Sequence, residues 1–198
     1  MSLTKRPYRM TARADAAQAT ADRILDAAIE VFWEQPTDQI SLEQVARRAG
    51  VTKQTVLRRF ESKDRLRAAA GERSIARARA EREDVEPGDL AGAVTALAAH
   101  YERVGDGVLR LLAEEERNAV LRELADQGRE YHLRWCERLF APALAALRGA
   151  ERARRLAQLV AVCDVYTWKL LRRDRGLSRP QTEIALRELL QPLIGDQK

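Results

Sequence analysis

The sequence predicts an all-α protein of about nine helices. Only 5% of its 198 residues are aromatic and only 6 are proline, whereas Ala, Leu, Arg and Glu, which all favour helices, dominate the composition. Apolar residues also recur three and four positions apart along most of the chain, as they do on one face of a helix. A chain of this length and pattern can bury a sizeable helical core.

The first residues of the sequence predict a basic arm followed by a helix. Residues 1–17 are expected to form a flexible basic arm that includes Arg6 and Arg9. The first helix is expected over residues 18–35, where Ile24 begins an apolar face that repeats at helical spacing. Pro36 is expected to end it.

The next segment, SLEQVARRAGVTKQTVLRRFESK, predicts a helix-turn-helix. Ser41 can cap the first helix, and Gln44, three residues later, completes a capping box. Gly50 permits the positive φ angle that a tight turn requires, and Thr52 can cap the second helix. Val56 is expected on the inward face of that second helix. Short helical hairpins with Ala and Gly also occur in proteins of other functions, so the motif alone does not fix a function.

The second helix of the motif is expected to leave a polar face open. Its side chains there are hydrogen-bond donors or cations, the groups that contact base edges and phosphates in DNA: Lys53, Gln54, Thr55, Arg58 and Arg59. The charge distribution supports this interpretation. Residues 1–80 carry 16 basic and 10 acidic side chains, whereas the rest of the chain carries 19 and 20. The excess positive charge is therefore concentrated around the motif, as attraction to phosphate requires.

The remaining sequence predicts six further helices. They are expected over residues 62–83, 90–104, 108–116, 118–147, 151–173 and 180–193, with breaks at Gly-rich and Pro-containing turns. The fourth of these six is expected to kink near Gly128 or to end at Pro142. The helix-turn-helix domain is assigned to residues 18–65 and a helical ligand-binding and dimerisation domain to residues 66–198, so that the helix over 62–83 joins them rigidly.

Several classes of function have no support in the sequence. There is no stretch of 18 apolar residues and no apolar run near the start, so a cytoplasmic protein is expected. The two histidines form no HExxH motif, and neither a phosphate loop nor a nucleophile elbow is present, so no catalytic residue, cofactor or metal is expected. Cys136 and Cys163 are interpreted as buried reduced thiols, with a redox switch as the alternative.

Residues 22–66 resemble the tetracycline-repressor (TetR) family of transcriptional regulators. The resemblance rests on AAIEVF in the first helix, on ISLEQVARRAGVTKQTVLRRF, and on the SKDRL opening of the next helix, in that order. Leu57 departs from the family pattern, in which this position is usually aromatic and commonly touches a phosphate. Gln35-Pro36 replaces the usual pair of Gly and an aromatic residue. Beyond Leu66 the resemblance is one of helical architecture.

The resemblance and the side-chain chemistry together predict the DNA contacts. Gln54 is expected to read a base, because an amide can be bidentate to adenine, and Lys53 to read guanine or to hold a phosphate. The complete predicted set is Ser41, Thr52, Lys53, Gln54, Thr55, Leu57, Arg58, Arg59 and Lys63, with Arg6 and Arg9 of the arm in a neighbouring minor groove. The alternative for Ser41 is a helix cap alone, and for the arm a solvated tail.

A homodimer is expected, because one recognition helix makes few contacts and a two-fold dimer reads two half-sites. In the resembling family the last two helices pair across the dimer as a four-helix bundle. Two apolar stripes fit this arrangement: Leu156, Leu159, Val160, Cys163, Thr167 and Leu170 in one, and Ile184, Leu186, Leu189, Leu190 and Leu193 in the other. The alternative is that both stripes face the core of their own domain.

An effector site is expected in the middle of the chain. Aromatic walls with a few polar tips suit a flat, mostly apolar molecule, and the candidates are Tyr101, Tyr131, His132, Trp135, Asp164 and Trp168, with His100 nearby. Aromatic residues at helical spacing are, however, more often core than pocket. Asp164 lies within the apolar run LVAVCDVYTW, where a carboxylate needs a partner.

These observations predict a DNA-binding transcriptional regulator, specifically a ligand-responsive repressor that binds a palindromic operator as a dimer. Repression rather than activation rests on the resemblance alone. The alternatives are an architectural DNA-binding protein without a ligand, a helical enzyme, and a small-molecule-binding protein. Release of DNA when a metabolite is added would distinguish the regulator from the architectural protein.

Overall fold

The structure is a computed structural model that describes the backbone of residues 5–36 and 39–195, with side chains from residue 14 onward in those ranges. Every regular element in this part of the chain is helical, so the all-α prediction is confirmed. None of the described helices combines the length and the apolarity needed to cross a bilayer. The chain forms two compact units that divide between Ser74 and Ile75.

The first unit contains three helices and the start of a fourth. α1 spans Lys5–Glu34, α2 spans Leu42–Ala49, and α3 spans Lys53–Phe60. α4, at Lys63–Glu83, is continuous, and its first three turns belong to this unit. The core of the unit draws side chains from all four helices, with the largest fully buried ones being Ile24, Val45, Val56 and Leu66.

α1 begins at Lys5, well before the predicted start at residue 18. The segment that follows Pro7 is rich in Ala and contains no further Pro or Gly, so it favours a helix. Pro7 itself lies in the first turn, where its missing N–H breaks no intrahelical bond. The segment lacks an apolar face, which is why periodicity does not reveal it. The side chains of Arg6 and Arg9 lie outside the described residues.

The second unit is built from the end of α4 and six further helices. α5 spans Leu90–Glu114, α6 spans Ala119–Leu139, α7 spans Ala141–Leu144, α8 spans Gly149–Val162, α9 spans Val165–Lys169 and α10 spans Arg179–Ile194. A 3₁₀ turn follows α5 at Glu115–Arg117, and a π-helical turn follows α9 at Leu170–Asp174. The core of this unit surrounds the fully buried Trp168.

Two predicted boundaries in this unit are wrong. The predicted break at residues 105–107 is absent, and α5 continues through it. Glycine is present at position 105 for a packing reason, since a Cβ there would lie 2.5 Å from Cζ3 of Trp168. The helix predicted over 151–173 is instead interrupted at Asp164, whose carboxylate accepts a hydrogen bond from Tyr166 N at 2.9 Å and caps α9. Pro142 lies in the first turn of α7, just after α6 ends.

Replacing Gly105 with Ala is expected to destabilise the protein, because the new methyl group would overlap the buried ring of Trp168. Overpacking of this kind costs about 1–3 kcal/mol of unfolding free energy. Gly128→Ala is the matched control, since Gly128 lies in α6 and nothing lies within 4 Å of its Cβ position. The higher helix propensity of Ala should stabilise that variant by up to about 1 kcal/mol. Urea denaturation measures both changes, and two equally stable variants would contradict this account of the packing.

Candidate functional site

Helix caps fix the start of both short helices of the helix-turn-helix. Ser41 Oγ accepts a hydrogen bond from Gln44 N at 3.2 Å, and Ser41 N donates to Gln44 Oε1 at 2.6 Å, so the predicted capping box of α2 is confirmed. At α3, Thr52 Oγ1 accepts a hydrogen bond from Thr55 N at 3.2 Å. Both hydroxyls are thus engaged with their own helices, and a contact of either with DNA stays a prediction.

The turn between α2 and α3 depends on Gly50. Its φ of 66° lies in the left-handed region, which residues with a side chain adopt at a cost. Gly50 N donates to Arg47 O and Val51 N donates to Ala46 O at 2.9 Å, which closes the last turn of α2. Nothing lies within 4 Å of its Cβ position, so the backbone conformation rather than lack of space requires glycine here.

α3 presents a buried face and an open face, as predicted. Val56 is fully buried in the core of the first unit. Leu57 lies at the edge of the open face with 36% of its surface exposed, and Thr55 is half-buried. The exposed polar residues are Lys53, Gln54, Arg58 and Arg59. The helix therefore offers a row of donors and cations on the side that faces away from its own core.

Lys53 has an ion-pair partner that the sequence does not reveal. Its Nζ lies 2.6 Å from Oε1 of Glu43 on α2, and the hydrogen bond from Lys53 holds the pKa of Glu43 below its usual value. Both side chains are more than half exposed, so the pair contributes little stability. A phosphate would compete with Glu43 for the ammonium group.

Lys63 is the first residue of α4 and is partly exposed. The adjacent Ser62 caps this helix, because its Oγ accepts a hydrogen bond from Arg65 N at 3.1 Å. The start of α4 therefore combines the positive end of the helix dipole with a cation, as an oxygen anion prefers.

Two arginines of the first unit pair with carboxylates of α1. Arg48 on α2 contacts Glu34 at 2.6 Å, and this hydrogen bond holds the pKa of Glu34 below its usual value. Arg73 on α4 contacts both Asp22 and Asp26 at 2.9 Å. The acids repeat at a spacing of four on α1, which is the only indication of these pairs in the sequence. Arg48 and Arg73 thus hold helices together and are not part of the open face.

The predicted effector residues lie together in the core of the second unit. The ring centroids of Tyr101 and Trp168 are 5.8 Å apart, and those of His132 and Trp135 are 6.3 Å apart. These four side chains are buried, and Tyr131 is half-buried. The hydroxyls of Tyr101 and Tyr131 donate to backbone carbonyls at 3.1 and 3.3 Å. The structure brings these five candidates into one region, and their contact with a ligand stays a prediction.

Asp164 does not present its carboxylate as a vacant polar group, because the carboxylate caps α9. The apolar run around it therefore marks a helix break within a core segment. The neighbouring Cys163 and the nearby Cys136 are both buried and form no disulfide, as interpreted from the sequence. Interaction with the Cys163 thiol and burial raise the pKa of Cys136.

Arg82, near the end of α4, is a member of this region that sequence reasoning misses. Only 3% of it is exposed, and its guanidinium carbon lies 5.1 Å from the ring centroid of Trp135, 5.6 Å from that of Tyr101 and 5.9 Å from that of Tyr131. In the sequence Arg82 belongs to ARARAERE, which is typical of a solvated helix.

The predicted dimer stripes divide into buried and exposed residues, and part of the prediction is corrected. Five of the predicted side chains fill the core of their own unit and cannot serve a partner: Leu156, Leu159, Cys163, Leu186 and Leu190. By contrast, 56% of Leu170, 54% of Ile184 and 47% of Leu189 are exposed. Val160, Thr167 and Leu193 are half-buried. Tyr166, 55% exposed, is a further apolar candidate that the sequence stripes do not include.

Comparison with known proteins supports the resemblance of the first unit. Residues 24–70 match the family of bacterial regulatory proteins described as the tetR family. Over 54 residues the chain is 48% identical to the HTH-type transcriptional regulator SrpR of Pseudomonas putida. That alignment covers 26% of this chain and spans only 25% of the length of SrpR.

Over most of its length the chain is similar in fold to solved regulators. A transcriptional regulator from Rhodococcus sp. Rha1 superposes with a TM-score of 0.69 at 21% identity, covering 88% of this chain and 95% of that one. The transcriptional regulator FadR from Bacillus subtilis, crystallised in complex with stearoyl-CoA, superposes with a TM-score of 0.64 at 16% identity, covering 87% and 97%. At these identities the likeness is one of fold.

Acidification is expected to destabilise the protein through His100. Burial, followed by the positive charge of Arg82, lowers the pKa of His100 to about 2. The unfolded chain binds a proton near pH 6.5 that the folded protein does not, so this contribution to stability is complete above that pH and falls below it. The loss should reach between about 1 and 2 kcal/mol at pH 5.

His100→Gln should remove this part of the pH dependence. Urea denaturation of both proteins at about pH 7.5 and 5 measures the difference. His132 is also buried with a lowered pKa and is present in both proteins, so the comparison isolates His100. Equal losses of stability in the variant and the wild type would show that His100 is protonated in the folded state.

Proposed function

We propose that this chain, whose residues 24–70 match the tetR family of bacterial regulatory proteins, is a member of that family and a DNA-binding transcriptional regulator. The open face of α3 carries the proposal: its polar and cationic side chains are exposed while Val56 anchors the opposite face. A helix of this kind fits the major groove of DNA. The protein is proposed to act in the cytoplasm, where it would meet that DNA, and to have a regulatory rather than a catalytic role.

Base reading and phosphate binding are proposed to fall on different side chains of α3. Gln54 lies in the first turn, is exposed, and can be bidentate to adenine. Lys53 can exchange Glu43 for a phosphate or read guanine. Arg58 and Arg59, in the last turn, are proposed to hold phosphates. Leu57 cannot donate a hydrogen bond, so phosphate affinity should depend on its cationic neighbours.

The regulator is proposed to bind a palindromic operator as a homodimer. A single α3 offers few base contacts, and a two-fold dimer doubles them at a fixed half-site spacing. Exposed apolar side chains in the last third of the second unit support an interface there: Tyr166, Leu170, Ile184 and Leu189. Burying them against a partner would be favourable, because exposed apolar groups gain free energy when removed from water.

The regulator is further proposed to respond to a ligand and to act as a repressor. The effector would bind in the region around Trp135 and shift α4, whose last turns are tied to α6 because Trp135 Nε1 and Arg138 Nη2 both donate to the carbonyl of Arg82, at 3.4 and 3.0 Å. The first turns of α4 carry Leu66 and Ala70, which are buried in the core of the first unit. Release of DNA requires that the ligand prefer the conformation that does not bind the operator.

An architectural DNA-binding protein that recognises no ligand is the second candidate. The cationic face of α3 would serve it equally well. Such a protein would bind most sequences with similar affinity, and a small molecule would not release it.

Two substitutions are expected to separate base reading from phosphate binding. Gln54→Ala should relax preference at one base pair, at a cost of about 1–3 kcal/mol on the preferred operator, with an almost unchanged salt dependence. Lys63→Ala should weaken binding to all sequences and lower the salt slope by about 0.9 per protomer, or about 1.8 for the dimer. Fluorescence anisotropy with matched and single-mismatch duplexes over a range of salt measures both effects. If the two variants behave alike, the proposed division of roles is wrong.

Footprinting of DNA that flanks the gene of this protein, at near-physiological salt, tests the function itself. If the protein is a dimeric regulator, we expect a protected palindrome whose half-sites are separated by about one helical turn of DNA or a whole multiple of it. If the operator lies elsewhere, selection of the sequences that the protein binds from a pool of random DNA identifies it. Selection that yields no preferred sequence, together with protection that is lost as salt rises, would favour the architectural protein.

A further inference from the structure

Arg82 is a cation in the interior of the second unit. Its guanidinium packs against the rings of Tyr101, Tyr131 and Trp135 and is almost inaccessible to solvent. Arg79, one turn earlier on α4, provides a contrast: its guanidinium carbon lies 5.4 Å from the ring centroid of Tyr131, yet the residue is exposed. The same ring thus contacts one solvated and one buried cation.

The guanidinium of Arg82 has no acidic partner in the described part of the chain. Its Nε and Nη2 atoms are buried and have no hydrogen-bond partner there. It is close enough to the Tyr101 hydroxyl to interact with it, but burial raises the pKa of Tyr101 and keeps the phenol neutral. A buried charge without a counter-charge is unfavourable, and the aromatic rings around Arg82 offset that cost only in part.

The two unpartnered atoms form one edge of the guanidinium, and this protein uses that edge elsewhere to hold carboxylates. Nε and Nη2 of Arg172 donate to the two oxygens of Glu102 at 2.6 and 3.2 Å. The same atoms of Arg173 donate to Asp106 at 3.0 and 2.9 Å. This bidentate arrangement is the strongest that arginine forms with a carboxylate. Arg82 presents the same two donors among aromatic rings instead of beside an acid.

We propose that Arg82 binds the carboxylate of the effector, and that the effector is a small organic acid with a flat apolar body. This inference rests on the proposed function, in which the second unit binds a ligand. The carboxylate accepts hydrogen bonds from Nε and Nη2 of Arg82, and the rings of Tyr101, Tyr131 and Trp135 contact the apolar body. Because only an anion neutralises the buried cation, the acid binds in preference to its uncharged analogue.

Arg82 also connects the bound acid to α4. It lies in the last turn of that helix, and its backbone carbonyl accepts hydrogen bonds from α6. A carboxylate bound to Arg82 therefore acts directly on α4, the helix that continues into the first unit, without an intermediate residue.

Thermal unfolding of the full chain with matched probes tests the proposal. The probes are 2-naphthoate, benzoate and decanoate, each compared with its own amide. At least one aromatic acid is expected to raise the Tm of the wild type while its amide does not. Arg82→Met, which keeps most of the volume but removes the charge, should lose this response. Arg82→Lys keeps the charge but not the two-donor edge and should bind the acid on the order of tenfold more weakly.

Arg79→Met is the control, because it removes an exposed guanidinium from the same Tyr131 ring. Its response to the acid should equal that of the wild type. Equal stabilisation by an acid and its amide, a retained response in Arg82→Met, or no stabilisation by either aromatic acid would each overturn the proposal.

The Tm of Arg82→Met without a probe supplies an independent readout. Removal of an unpaired buried charge is expected to leave the Tm unchanged or to raise it. A Tm clearly below that of the wild type would mean that Arg82 serves only to pack the rings, and would overturn the proposal.

Footprinting with Arg82→Met in the absence of acid separates this inference from the proposed function. The variant should protect the same DNA as the wild type. If neither protein gives a footprint or selects a sequence, the DNA-binding function fails, whereas the acid response is still measured by thermal unfolding. If both bind DNA and neither responds to an acid, only the present inference fails.

Discussion

The two helices of the helix-turn-helix have only eight residues each, and helices of that length are not stable alone in water. Their stability depends on burying one face of each, through Val45 and Val56, in a core shared with α1 and α4. Capping by Ser41 and Thr52 satisfies backbone groups that this packing leaves without partners. The outer face of α3 is therefore not needed for packing of the core, so its polar residues are available to contact DNA.

The arginines of the first unit divide in the same way. Arg48 and Arg73 pair with carboxylates of α1, whereas Arg58 and Arg59 on α3 have no ion-pair partner among the described residues. A count of charges treats all four alike. The structure shows that Arg48 and Arg73 are neutralised locally, so the attraction to phosphate at short range comes from Arg58 and Arg59. The acidic side chains of this region therefore do more than reduce its net charge. By pairing with Arg48 and Arg73, they leave the unpaired positive charge on the open face of α3.

The features that depend on neighbours within four or five residues could be predicted from the sequence. The capping box at Ser41 and the left-handed turn at Gly50 are of this kind. The errors come from contacts that are distant in sequence. Gly105 is indistinguishable from a helix breaker until Trp168 packs against it, and the apolar stripe from Leu159 to Leu170 becomes buried at one end and exposed at the other because a helix break intervenes. Arg82 is misread for the same reason, since only its distant aromatic neighbours reveal that it is buried.

The interior of the second unit is electrostatically unbalanced around Arg82. Burial and the charge of Arg82 lower the pKa values of His100 and His132, and burial raises that of Tyr101, so the groups near the cation are held neutral. The carboxylate of Asp164, which also lies near these groups, is used to cap α9. A core selected only for stability would carry an apolar side chain at position 82, because the aromatic rings offset only part of the cost of a desolvated charge. An unbalanced cation on a helix that takes part in both units is therefore better explained by an anion supplied from outside the chain than by packing, which is the role proposed for Arg82.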